Sequence, residues 1–302
     1  MRQCVQSLIV FLLTCQLLPA VTPSFNGNKA FSYLTTQTDM GPRNPGSPGH
    51  AACIQWLVEK GEKWADTVVV QEFTGFNPHG PDDVSLTNVI YRFQPRNPER
   101  IMLSAHFDTR PVADLDRIRR NEPIPGANDG ASGVAVLLHI AEILAQSPPP
   151  VGVDIAFWDG EDMGRPDYPE EFCQGSRFYS RNPLEPIPQK GILIDMIGDT
   201  DLQIFYELYS LRFAPGLAQV IWDAAKKAGY ADVFIQKPGP RVYDDHVPLS
   251  EGGIPTVDII DFQYPDARTN YWHTHEDTAD KCAPESLQCI GDVLLMWLYA
   301  QE

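Results

Sequence analysis

The stretch "ASGVAVLLHIAEILAQSPPPVGVDIAFWDGED" (131–162) carries the pattern that decides the fold. Its first half has apolar residues at helical spacing over 131–145, and the three prolines at 148–150 end that helix. The apolar run "VDIAFW" (153–158) predicts a buried strand, which finishes in three carboxylates within four residues. A helix that is followed closely by a mostly apolar strand is typical of an α/β sheet covered by helices.

Other segments of the chain repeat this alternation. The apolar patterns predict helices over 27–38, 48–63 and 284–300, and strands over 67–73, 87–93, 100–107, 191–198 and 254–260. We therefore predict a single α/β domain in which helices flank both faces of a central, mixed and mostly parallel sheet. Ligands of such sheets bind outside the carboxyl ends of the strands.

The first twenty residues have the composition of a secretory signal. Arg2 is followed by the apolar run "LIVFLLTCQLL" (8–18), which is too short to span a bilayer, and by a small residue at a suitable cleavage position. The sequence therefore predicts a signal peptide at 1–20 and a mature domain at 21–302, exported to a periplasm or secreted. No stable membrane insertion is expected after cleavage. The alternatives are retention of the segment as an anchor and cleavage before Cys15 to leave a lipid anchor.

Acidic residues outnumber basic residues in this chain. Its 302 residues include 40 Asp and Glu against 23 Lys and Arg, which gives a formal charge of −17. A surface of this sign repels polyanions and so disfavours nucleic acid and anionic membranes as partners. Basic ligands and metal cations are the partners that the charge favours.

Four cysteines lie in the predicted mature domain: Cys53, Cys173, Cys282 and Cys289. They are too sparse for a disulfide scaffold and lack the CxxC spacing of a zinc site. One or two disulfides remain open in an exported protein, and so do buried free thiols.

Acidic and imidazole side chains occur repeatedly beside the predicted strands, most of them after a strand, Asp129 before a helix, and Asp244 and His246 before the last strand. The set comprises His106, Asp108, Asp129, Glu161, Asp162, Asp195, Asp244, His246, His273 and His275. Each has a simple structural interpretation when taken alone; for example, Asp129 could cap the helix that follows it. Together they gather imidazole nitrogen and carboxylate oxygen at one edge of the sheet, a donor set that suits zinc or a similar divalent cation. A cation would also offset the repulsion within "DGED", and Asp108 would fix the ring of His106.

Two other chemistries lack their sequence signatures. The glycines of "PGANDGASG" (125–133) are not followed by Gly-Lys-Ser/Thr, which excludes a phosphate-binding loop of that type. The chain also lacks a GxSxG motif, so a serine hydrolase of that type is not indicated.

Seven motifs occur in an order that resembles a known family: "AHFDT", "PGANDGASGVAVLLHIA", "WDGED", "GSRFY", "LIDMIG", "DDHVPL" and "YWHTHED". The chain resembles the zinc-dependent aminopeptidase superfamily and, within it, the glutaminyl cyclases of the animal type and their bacterial relatives. The resemblance covers the chain from near residue 30 to near residue 300. It implies that 21–302 is a zinc-dependent catalytic domain.

The resemblance also implies two alternative metal arrangements. In the two-metal aminopeptidases, the matching residues are His106 and Asp195 for one metal and Asp162 and His273 for the other, with Asp129 as the bridge. In the one-zinc cyclases, the metal ligands are Asp129, Asp162 and His273. Asp162 is an aspartate where many members have glutamate, and His275 is a second candidate beside His273.

As a cyclase, the protein would convert an N-terminal glutamine of a peptide or protein into pyroglutamate and release ammonia. The resemblance assigns proton transfer to Glu161, hydrogen-bonded acids to Asp195 and Asp244, and a wall of the substrate pocket to Trp272. Asp108 and His246 would orient these groups without contacting the metal or the substrate. The alternatives are a zinc aminopeptidase with one or two metals and an inactive, peptidase-like binding domain. Segment 110–125 shapes the pocket entrance or is a solvated surface loop; both interpretations remain open.

Overall fold

A six-stranded mixed sheet forms the centre of the protein in the computed structural model, which describes residues 22–266 and 268–301. The strands are β1 (Thr67–Gly75), β2 (Val84–Phe93), β3 (Arg100–His106), β4 (Gly152–Trp158), β5 (Gly191–Asp195), β6 (Ile204–Tyr206), β7 (Phe234–Pro238) and β8 (Thr256–Ile260). The central order is β1-β2-β4-β3-β5-β8, and β6 and β7 form a separate parallel pair. The predicted mixed, mostly parallel α/β fold is confirmed.

The four strands from β4 to β8 of the central sheet run parallel, whereas β2 is antiparallel to both of its neighbours. Every residue of β3, β4, β5 and β8 is buried, which explains why these strands are almost continuously apolar in sequence. Edge strand β1 is mostly half-buried or exposed. The parallel strands therefore end side by side at one protected edge of the sheet.

In the described part of the chain, eight α-helices cover the sheet: α1 (Gly27–Asp39), α2 (Pro48–Trp64), α3 (Ala131–Gln146), α4 (Gln174–Arg181), α5 (Leu208–Phe213), α6 (Pro215–Ala228), α7 (His246–Glu251) and α8 (Pro284–Leu298). Helix α3 packs on β3 and is covered in turn by α1 and α8, so it is apolar on nearly all sides. Helices α4 and α7 pack together over the opposite face. Two faces of the sheet are thus buried, as the sequence predicts.

The structure differs from the sequence prediction at several element boundaries. The strand predicted over 191–198 ends at Asp195, and the strand predicted over 254–260 begins at Thr256. Strands β6 and β7 and helices α4 to α7 are not predicted. Four of these elements have six residues or fewer, so they give weak periodic signals.

All four cysteines of the predicted mature domain are buried free thiols in the structure. The predicted signal at 1–20, including Cys15, lies outside the described residues and stays a prediction. None of the helices in the described part of the chain combines the length and apolar character needed to cross a membrane.

Candidate active site

The predicted ligands meet at the carboxyl edge of the parallel strands. His106 is the last residue of β3 and Asp195 the last of β5, while Asp162 lies in the turn after β4. Asp129 precedes α3, and His273 lies in the loop after β8. All five side chains are buried or nearly so. Their convergence follows from the parallel strand order, because it brings the ends of these strands to one edge.

The five side chains form two groups that share Asp129. The first trio is Asp129, Asp162 and His273, and the second trio is His106, Asp129 and Asp195; within each, the potential ligand atoms lie within 4.8 Å of one another. Asp129 Oδ2 lies 3.9 Å from His273 Nε2, and Asp129 Oδ1 lies 3.3 Å from His106 Nε2. The two oxygens of one carboxylate thus face different trios.

The first trio is suited to a divalent cation. His273 Nε2 lies 3.2 Å from Asp162 Oδ1, so the shorter aspartate still reaches the histidine. Among the described residues, the buried Oδ2 atoms of Asp129 and Asp162 have no hydrogen-bond partner. Burying a carboxylate oxygen without a partner is costly, and a cation would offset that cost. Imidazole nitrogen and carboxylate oxygen are ligands that zinc accepts.

Asp129 is presented by a turn held by another carboxylate. The N-cap of α3 is Gly130, at φ 98°, so Asp129 does not cap the helix. Instead, Asp277 accepts the backbone N–H groups of Asn128 at 2.8 Å and of Asp129 at 3.1 Å. A Cβ at position 130 would lie 2.7 Å from the carbonyl oxygen of Asp108, so only glycine fits. The turn leaves the Asp129 carboxylate free to face both trios.

The three carboxylates of "DGED" point in different directions. Asp159 accepts from the Thr87 N–H at 2.6 Å and pairs with His50 Nε2 at 2.9 Å, away from both trios. Burial raises the pKa of Asp159 to about 6. Asp162 joins the first trio, whereas Glu161 belongs to neither trio and lines the adjacent cavity. The repulsion expected from the sequence is therefore relieved partly by separation and partly by a histidine partner.

Asp108 supports the turn after β4. Its carboxylate accepts the backbone N–H of Glu161 at 3.1 Å and of Asp162 at 3.2 Å. The predicted contact with His106 is longer than a hydrogen bond, because Nδ1 lies 3.6 Å from Asp108 Oδ1. Asp108 therefore holds the backbone of Glu161 and Asp162 more directly than it orients the His106 ring.

Glu161 is a buried carboxyl group beside a thiol. Burial raises its pKa well above the usual range. The Cys173 Sγ donates to Glu161 Oε1 at 3.5 Å, and His106 Nδ1 lies 4.0 Å from Oε2. Glu161 lines the cavity, so its carboxyl group is placed to take up and release a proton as a general base and acid does.

Asp244 and His246 lie at the start of α7 and are both buried rather than solvated. Burial and the charge of Asp195 raise the pKa of Asp244 well above its usual range. His246 Nε2 pairs with Glu207 at 3.0 Å, and its Nδ1 lies 3.8 Å from Asp258. The predicted supporting histidine thus lies next to Asp244 and connects it to two further carboxylates.

A cavity of about 300 Å³ opens onto these groups. Its polar lining residues include Asp129, Glu161, Asp195 and Asp244, and its apolar lining residues include Phe172, Val242, Ile260, Phe262 and Trp272. The Trp272 and His273 rings have centroids 3.7 Å apart, and the Phe262 and Trp272 rings have centroids 4.9 Å apart. The volume suits one side chain of a substrate, and both carboxylates and aromatic rings line it.

Sequence reasoning missed three residues that support the first trio: Arg110, Asp114 and Asp277. Asp114 Oδ1 lies 3.1 Å from His273 Nδ1, and Arg110 Nη1 donates to Asp162 Oδ1 at 3.0 Å. His275, the competing candidate, pairs instead with Asp116 at 3.0 Å and belongs to neither trio. The available signal was a charged loop at 110–125 for Arg110 and Asp114, and the end of the "YWHTHED" motif for Asp277. Neither pattern identifies the contacts by itself.

Comparison with known proteins identifies the family of this chain. Residues 88–298 match the model of peptidase family M28. This chain belongs to peptidase family M28.

Among solved M28-like structures, the glutaminyl cyclase of Bacteroides thetaiotaomicron, solved with N-acetylhistamine bound, is 37% identical with a TM-score of 0.88. The match covers 93% of this chain and 100% of the cyclase. A Zn-dependent exopeptidase from Parabacteroides distasonis is 35% identical with a TM-score of 0.89, at 93% and 100% coverage. The aminopeptidase YwaD of Bacillus subtilis is 27% identical over 90% of this chain, which spans 57% of that protein's length.

These comparisons confirm the resemblance to glutaminyl cyclases within the M28 superfamily. They support an enzyme of this superfamily with a zinc cofactor. Cyclases and aminopeptidases both occur among the relatives, so the choice of reaction depends on the site itself.

Proposed function

We propose that the protein is a zinc-dependent glutaminyl-peptide cyclotransferase. It acts on peptides or proteins with an N-terminal glutamine, forms pyroglutamate and releases ammonia. The observation that carries the proposal is the pair Glu161 and Asp244, whose carboxylate oxygens approach within 4.8 Å beside a cavity of about 300 Å³. A cavity of this size holds the side chain of one residue, and the carboxyl pair can move protons beside it.

The first trio would hold the zinc in this proposal: Asp129, Asp162 and His273. When bound, zinc supplies Lewis acidity that polarises the γ-carboxamide of the substrate. The second trio leaves room for a second metal, which is the arrangement expected of the aminopeptidase alternative. That alternative draws its support from the shared Asp129 and from the aminopeptidase relative.

The chain's own residues then account for the proton movements. The α-amine of the substrate attacks its own γ-carbonyl carbon, and the bond to the amide nitrogen breaks. Glu161 takes the proton that the amine loses and delivers one to the departing nitrogen, so ammonia leaves and the carboxylate is regenerated. Asp195 and Asp244 would hold the substrate amine and the transferring protons in line. Trp272 would confine the glutaminyl side chain, which favours ring closure because the reacting groups are held together.

Export is part of the proposal and depends on the signal predicted at 1–20. The mature domain over 21–302 would then meet its peptide substrates outside the cytoplasm. No nucleic-acid partner is expected from the charge of −17.

The proposal is tested with purified, zinc-loaded protein and two peptides that differ only in an N-terminal glutamine or leucine. Mass spectrometry follows the products. We expect the glutamine peptide to lose one ammonia with its chain intact and the leucine peptide to stay unchanged. Release of a free N-terminal amino acid from either peptide would replace the cyclase with the aminopeptidase. An absence of change in both peptides would contradict both enzymes and favour a binding domain.

A further inference from the structure

Segment 110–116 runs behind the first trio rather than out into solvent. Arg110 is wholly buried, and its guanidinium group binds two different carboxylates. Its Nε and Nη2 donate to the two oxygens of Asp114, each at 2.8 Å. Its Nη1 donates to Asp162 Oδ1 at 3.0 Å and to the Asp162 carbonyl oxygen at 3.2 Å. One buried cation therefore fixes a trio member and a neighbouring carboxylate together.

Asp114 in turn holds the histidine of the trio. Its Oδ1 lies 3.1 Å from Nδ1 of His273, while the opposite ring nitrogen, Nε2, faces Asp162 and Asp129. A carboxylate only accepts hydrogen bonds, so this contact keeps the proton on Nδ1. Nε2 is then left with a lone pair directed at the metal position.

We propose that Arg110 and Asp114 are positioning residues that set the zinc affinity of the first trio. Arg110 orients Asp162 and Asp114 orients His273, so two of the three ligands are held before the metal arrives. The bidentate Arg110–Asp114 pair makes the two contacts one rigid unit. This inference rests on the ligand set of the proposed function, but not on the reaction that the enzyme catalyses.

Two further contacts support this assignment. Arg110 occupies Oδ1 of Asp162, whereas the buried Oδ2 of the same carboxylate has no partner among the described residues and stays available to a cation. The second trio lacks an equivalent arrangement: within the described chain, Nδ1 of His106 has no hydrogen-bond partner. The supported first trio should therefore bind zinc more tightly than the second.

The same segment provides a matched control. Two residues further on, Asp116 pairs with His275 as Asp114 pairs with His273. Asp116 Oδ2 lies 3.0 Å from His275 Nδ1 and also accepts the His275 N–H at 3.1 Å. His275 belongs to neither trio, so this pair holds the loop without orienting a proposed ligand.

The test measures the dissociation constant of zinc by competition with a chromogenic chelator. It compares the full mature protein with the variants Asp114→Asn, Asp116→Asn and Asp129→Asn. We expect Asp114→Asn to weaken zinc binding about 10- to 100-fold, the usual effect of losing a partner behind a metal ligand. Asp116→Asn should leave the dissociation constant unchanged. Arg110→Lys keeps the positive charge but loses the planar guanidinium group that binds both carboxylates. It should therefore also weaken zinc binding.

Three results separate the possible failures. Wild-type zinc affinity in both Asp114→Asn and Arg110→Lys would overturn the positioning role. An equal loss in Asp116→Asn would also overturn it, since the effect would then come from the loop as a whole. Retention of zinc by Asp129→Asn would instead refute the ligand set of the proposed function. Thermal unfolding of the zinc-free variants checks that each one folds.

Discussion

Replacing Glu161 with glutamine should separate proton transfer from metal binding. The amide has nearly the same shape as the carboxyl group but cannot take up the proton that the substrate amine loses. Glu161 belongs to neither trio, so zinc should stay bound. The amide oxygen of the new glutamine can still accept the hydrogen bond that Cys173 Sγ donates at 3.5 Å. The variant therefore removes the proton carrier while leaving its surroundings in place.

The size of the expected loss follows from the role. A positioned general acid or base contributes about 10²- to 10⁴-fold to a rate, equivalent to about 3–5 kcal/mol of barrier. We expect the upper part of this range, because Glu161 is to act twice, first as base and then as acid. Its burial also limits replacement by bulk water, and this burial is the main cause of its raised pKa.

The assay measures ammonia release from a peptide with N-terminal glutamine, together with the zinc content of the same sample. Glu161→Gln should hold zinc as the wild type does and turn over about 10³- to 10⁴-fold more slowly. Asp129→Asn is the control and should lose both zinc and turnover. A Glu161→Gln enzyme with zinc bound and a rate within about tenfold of wild type would refute the role of Glu161.

Three further predictions concern the pocket, the metal and the turn before α3. Trp272→Ala removes the ring that packs on His273, so kcat/KM for a glutamine peptide should fall about tenfold while zinc is retained. Unchanged kinetics would show that Trp272 does not form a wall of the substrate pocket. Removal of zinc with a chelator should abolish turnover and lower the melting temperature, and added zinc should restore both. Turnover that persists after chelation would contradict the zinc requirement. Gly130→Ala forces a Cβ to 2.7 Å from the Asp108 carbonyl oxygen at φ 98° and should cost about 1–3 kcal/mol in urea unfolding. Gly216→Ala, where a Cβ meets open space in the described structure, should be neutral; equal effects would refute the strain argument.

The pattern of residues 131–162 was sufficient to predict the fold class. A helix of period 3.6 and a mostly apolar strand are local features, so the α/β architecture and its buried strands can be predicted from the sequence. The motif order was also sufficient to select the residues of both trios. Short elements such as β6 and α7 were missed, because a few residues do not define a period.

The tertiary structure decided which of these residues act together. Asp129 looks like a helix cap in sequence, but Gly130 is the cap, and Asp277 takes the N–H of Asp129. Asp159 belongs to the same run of carboxylates as Glu161 and Asp162 in sequence, yet it pairs with His50 from α2. These partners are far apart in the chain and meet because the fold brings the loop after β8 to the turn before α3 and packs α2 against the sheet. Local periodicity specifies which face of an element is buried, whereas the crossovers of the fold determine which distant side chains become neighbours.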